Sequence, residues 1–133
     1  MQVRVSAMSA DIKSRELGSG GPDEAVRLFL NHPWKQELLQ MHSMETQHAK
    51  SIISPDMTFT ALPGHLVIAA ESADRFNVEV CLPRPKKILG LISRVRFYTF
   101  QNISRERACS MIREFCGDVL EHKHSYFSGQ QHA

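Results

Sequence analysis

No stretch of this chain is apolar for long. The longest strictly apolar run is five residues, Leu66 to Ala70, whereas a membrane-spanning helix needs about 20. The first residues hold no apolar segment of the kind that precedes a secretory cleavage site. Cysteine is scarce. Cys81, Cys109 and Cys116 are an odd set of three, and none stands in a C-x-x-C pair. A disulfide framework and a cysteine-based zinc site are therefore not expected, and the cytoplasm is the expected compartment. Net charge is only +2, too little to argue for a polyanion partner. Two nucleotide or hydrolase signatures are also missing. No G-x-S-x-G occurs, and Gly18-Ser19-Gly20-Gly21 follows no strand signal and lacks the lysine of a P-loop.

What is present is ordinary globular composition. Of the 133 residues, 42% are apolar and 23% charged, and a chain of that length forms one domain without needing a staple. Residues 1–21 read as a flexible tail, because Val3, Val5, Met8, Ile12 and Leu17 are too scattered to define a face and the segment ends in a glycine-rich linker. Residues 22–127 read as a single α+β domain, and residues 128–133 as a frayed C-terminus.

Helix signals open the domain. Pro22-Asp23-Glu24 suits a helix start, with proline in the first turn and acids at the positive end of the dipole. His32-Pro33 interrupts it, because the residue before proline is pushed out of helical geometry. A second helix begins at Pro33-Trp34. After Ser54-Pro55-Asp56, side chains alternate through 57–61, 65–71, 76–82 and 95–100, the period of half-buried strands. The connections at Pro63-Gly64 and Ala73-Asp74-Arg75 are too short for parallel crossovers. Ser104 is a helix N-cap, followed by Ala108, Met111, Ile112, Phe115 and Val119 on one apolar face, with Gly117 as its C-terminal stop. The expected fold is an antiparallel four-stranded meander, with two N-terminal helices and one C-terminal amphipathic helix packed on one face. By strand parity the core face holds Phe59, Leu66, Ile68, Ala70, Phe76, Val78, Val80 and Phe97. The opposite face takes Glu79, Cys81, Arg96, Tyr98 and Phe100.

Charge is unevenly distributed. From Arg84 to Arg107 there are seven basic residues and one acid, Glu106. Within that span Ile88, Leu89, Leu91 and Ile92 lie beside Lys86, Lys87 and Arg94, an apolar patch that is costly unless something covers it. These seven residues are the candidate partner-binding set, either covered by the domain's own core or docked on another chain. Glu79, Arg96 and Tyr98 are a candidate polar ligand site on the second sheet face, against the plainer reading of a cross-strand ion pair. Seven histidines invite a metal reading, but His122-x-His124 is the only close pair and has no third ligand at a recognised spacing. No metal and no cofactor are expected. Cys109 and Cys116 read as core residues. Cys81 reads as inert too, although it sits at a strand end near Arg84, Lys86 and Lys87, where cations can lower a thiol pKa.

These residues point to a non-enzymatic protein-interaction or inhibitory module of the adaptor or immunity-like kind, binding another protein or a second copy of itself. The alternative is a small-molecule-binding protein or enzyme using Glu79, Arg96 and Tyr98. Single-stranded nucleic acid stands third, because basic residues interleave with Phe97, Tyr98 and Phe100 but no RNA-binding consensus is present.

Overall fold

The computed structural model describes residues 2–47, 51–61, 64–84 and 95–131. The elements run β1 (Val3–Met8), β2 (Ser14–Gly20), α1 (Pro22–Asn31), α2 (Trp34–Thr46), β3 (Asp56–Ala61), β4 (Gly64–Ser72), β5 (Arg75–Pro83), β6 (Val95–Ser104), α3 (Arg105–Phe115) and α4 (Leu120–Gln130). The strands form one six-stranded sheet in the order β2-β1-β3-β4-β5-β6, and every neighbouring pair is antiparallel. Among the described residues no helix is long and apolar enough to cross a membrane.

The α+β class and the β3–β6 meander match the sequence expectation, but the sheet has two further strands and the domain a fourth helix. The supposed tail is the β1–β2 hairpin. Its apolar residues form no helical face because their period is two: Val3, Val5 and Ala7 alternate with Arg4, Ser6 and Met8, and the first three are buried. β1 is therefore an interior strand, paired to β3 through Val5↔Phe59 and Ala7↔Met57. Within the glycine-rich stretch, Gly18 serves a strand. The register of β2 slips between Val5 and Ser6, leaving Leu17 as an extra residue, and Gly18 absorbs the bulge at φ +142°.

The C-terminus also departs from expectation. Residues 128–130 continue α4, and Phe127 is fully buried against Tyr98 and Phe100. α4 has no clear apolar stripe. Part of its inner face is Lys123, whose stem is buried and whose ammonium lies 5.1 Å from the centre of the Phe115 ring. Burial holds that ammonium below its ordinary pKa.

Two other local signals act as read, whereas Val119, expected on the apolar face of the last helix, lies beyond the end of α3 at Phe115 and is exposed. Ser104 caps α3, its hydroxyl accepting from the Arg107 N–H at 3.2 Å. α1 stops at His32, and Trp34 opens α2. That break turns the Trp34 ring back under α1. Its indole N–H donates to the Phe29 carbonyl at 3.1 Å, and the ring packs against Phe29 and Phe76 at centroid separations of 5.8 and 5.3 Å. Alternate residues of β1 and β3–β6, with α1–α4, close a single core on one face of the sheet. Among the described residues no helix or strand packs on the opposite face. Ser6, Met8, Thr58, Thr60, Val67 and Ala69 are half-exposed on it.

Candidate partner-binding surface

β6 stands at the edge of the sheet. One side pairs with β5, and among the described residues no strand pairs with the other. Its register is Cys81↔Phe97, Val80↔Tyr98, Glu79↔Thr99 and Val78↔Phe100. Cross-strand partners share a face, and Val78 and Val80 are core residues. Tyr98 and Phe100 therefore point inward, while Phe97 points to the opposite face and is 55% exposed. This reverses the face expected for β6. Val95-Arg96-Phe97-Tyr98-Thr99-Phe100 carries apolar residues at both parities, so alternation alone could not select the inner one. Beyond Phe100 the strand bulges. Gln101 and Asn102 together oppose Asn77, Asn102 takes φ +56°, and its N–H donates to Asn77 Oδ1 at 3.3 Å.

The start of β6 is clamped by a network the sequence did not announce. Tyr98 Oη lies 2.8 Å from His124 Nδ1, and His124 Nε2 lies 2.8 Å from the Pro83 carbonyl oxygen. A carbonyl only accepts, so Nε2 carries a hydrogen, and on a neutral ring Nδ1 accepts from the phenol. α4 is thereby fastened to the ends of β5 and β6, which anchor the connection between them. Arg96, of the same parity as Tyr98, lies over its ring, the guanidinium carbon 4.9 Å from the ring centre.

Of the residues singled out from sequence, Arg96 and Tyr98 meet. Glu79 does not join them: it is exposed and opposes Thr99 on the other face of the sheet. The three do not line one concavity. Lys86, Lys87, Ile88, Leu89, Leu91, Ile92 and Arg94 lie outside the described residues. Cys81 is buried, and desolvation, with Glu79 beside it, pushes its thiol up rather than down. Burial likewise raises Cys109 and Cys116. All three thiols thus lean away from the thiolate.

A second polar cluster joins the α1–α2 corner to the hairpin. His32 Nε2 lies 2.7 Å from Glu37 Oε2, and Arg15 Nη2 donates to Glu37 Oε1 at 3.1 Å. His32 and Glu37 are both buried. Among the described residues no group of three or more His, Cys, Asp and Glu could hold a metal ion. Asp56 belongs to the same neighbourhood. Burial first, and the Glu37 charge second, push its carboxyl from 3.8 up to about 6. A folded pKa above the unfolded one means that stability is fully present below about pH 4 and is lost as pH rises through about 6. Solvent screening of this half-buried group leaves about 1 kcal/mol of effect. Asp56→Asn is therefore expected to raise the melting temperature by about 4 °C at about pH 8 and to leave it unchanged at about pH 4. Thermal melts across that range measure it, and an equal shift at both ends would contradict the assignment.

Comparison with known proteins finds no match: no family model fits the chain, and no curated protein or solved structure is significantly similar to it.

Proposed function

We propose that the protein is a non-enzymatic protein-binding module of the adaptor or inhibitory kind, meeting its partner along residues 83–107. Phe97 carries this reading: a large aromatic ring, more than half exposed, on the outward face of an edge strand. Aromatic residues are enriched in interface cores, and Phe97 offers one on the outward face, whereas Arg96, also exposed, pairs with core Leu82 and projects to the other side beside Tyr98. An edge strand also offers backbone groups that another chain can pair with. The connection that leads into β6 in the sequence is itself basic and apolar, with Lys86, Lys87, Ile88, Leu89, Leu91, Ile92 and Arg94.

The test compares the full chain with two variants, Phe97→Asp and the triple charge reversal Lys86→Glu, Lys87→Glu, Arg94→Glu. Quantitative affinity capture from cells reads a foreign partner, and sedimentation reads self-association. Both variants are expected to lose about tenfold or more in binding, and Phe97→Asp, at an exposed position, to keep folding stability within about 0.5 kcal/mol of the parent. If parent and variants capture the same proteins equally, or if the parent captures nothing and sediments as a monomer, the reading is wrong.

A further inference from the structure

We infer that the cleft beside β6 receives an extended acidic segment of the partner, paired antiparallel to β6 and held by Arg107. This rests on the binding-module reading and names the partner's chemistry. The cleft encloses about 330 Å³ and is lined by Thr99, Gln101 and Ile103 of β6, Arg107 of α3 and Gln130 at the end of α4. It lies open along the sheet's edge, where a chain can enter lengthwise. Small-molecule sites instead surround most of their ligand.

The wall formed by β6 is an edge strand, and an edge strand turns alternate N–H and C=O groups away from its own sheet. Pairing there is the β-augmentation mode of peptide recognition. The regular part of that edge covers Arg96–Phe100. The bulge at Gln101–Asn102 ends it, because an extra residue breaks the ladder. The other edge strand, β2, is interrupted by its own bulge at Leu17–Gly18 and carries acidic Glu16 beside Arg15. β6 is therefore the favoured edge.

Arg107 lies where the regular edge stops. Its Nη2 donates to Gln130 Oε1 at 2.9 Å. A guanidinium has five N–H donors, and a carboxylate takes two of them side by side, with full charge, where an amide oxygen takes one. An acidic side chain therefore displaces Gln130. The local charge agrees: from residue 95 to 107 the chain has Arg96, Arg105 and Arg107 against Glu106 alone. Arg105 is already committed, donating to the Ala73 carbonyl at 3.0 Å. Antiparallel pairing is slightly the stronger kind, and it sets the direction. A strand antiparallel to β6 begins at the bulge, so the acid falls within its first residues.

A displayed library of random heptapeptides, selected on the full chain, tests this. The parent is expected to enrich β-prone peptides with Asp or Glu near their N-terminal end. The best of them, as a synthetic peptide, is expected to shift the backbone amide resonances of Thr99 and Gln101. Changing its acid to the amide is expected to weaken binding about tenfold, the worth of a charge-assisted pair. Arg107→Gln is expected to do the same, Arg107→Lys to cost less, and Arg107→Glu to switch selection to Lys or Arg. The acid-to-amide change in the peptide needs no protein variant, so it stands even if Arg107→Gln fails to fold. No enrichment, no loss with the amide, or shifts confined to other residues each overturn the inference. Should the Phe97 variant still lose its partner in that case, only the cleft falls. Should it bind unchanged, the binding-module reading falls as well.

Discussion

A chain lacking residues 2–20 is expected to have no cooperative unfolding transition at room temperature. Those residues hold Val3, Val5, Ala7 and Ala10 at 1%, 0%, 2% and 0% exposure. Burying one valine is worth about 2 kcal/mol, so the two valines alone supply about 4 kcal/mol. The deletion also strips the partner from β3, leaving the backbone groups now bonded to β1 unpaired and the inner faces of Met57 and Phe59 partly uncovered. Native stability is only about 5–15 kcal/mol in total, so these losses together are comparable to all of it. Circular dichroism and a thermal melt of the truncated chain decide the matter. A cooperative melt close to that of the full chain would mean that the hairpin is an appendage.

Glu37→Ala is expected to cost about 3 kcal/mol, the range for removing one partner from a buried charged cluster. Both carboxylate oxygens are engaged, one by His32 and one by Arg15. His32 has no other route to water, since its side chain is 2% exposed and its ring packs edge-on against Trp34 with centroids 4.4 Å apart. Its nitrogen would be left buried and unpaired, which carries the full desolvation penalty. Glu37→Gln keeps the acceptor for His32 and should cost about half as much. Denaturant melts measure both. A loss below about 1 kcal/mol for the alanine variant would show that the corner relaxes and admits water. Either substitution also removes the charge that helps raise the Asp56 carboxyl. The advantage of Asp56→Asn above neutral pH should therefore shrink in the Glu37→Gln background, which makes the two positions a thermodynamic cycle.

The candidate surface was legible in part. Basic and aromatic residues crowd residues 84–107, and charge asymmetry and proline placement are properties of the sequence itself. Which way its aromatics face was not legible. Phe97 and Tyr98 are adjacent, so one must point out, and the choice was made by the ladder to Val78 and Val80 together with the Phe127 ring that fills the space below Tyr98 and Phe100. Arg107 was visible only as a base in the first turn of α3. Its meeting with Gln130, 23 residues away, follows from α4 folding back beside α3, and α4 has no stripe by which to foresee that.

Local chemistry alone determined the elements whose signals lie within a few residues of each other. The break at His32-Pro33, the Ser104 cap and the alternation through β3, β4 and β5 depend on sterics and hydrogen bonds along one short stretch of chain. Tertiary structure decided everything that joins distant segments. It placed the first strand between β2 and β3, chose the inner face of β6, and brought Arg15 to Glu37 and His124 to Tyr98 and Pro83 across separations of 22, 26 and 41 residues. A hydrogen bond between remote side chains leaves no periodic trace in a sequence, because its partners are set by how layers pack and not by how either residue prefers to turn.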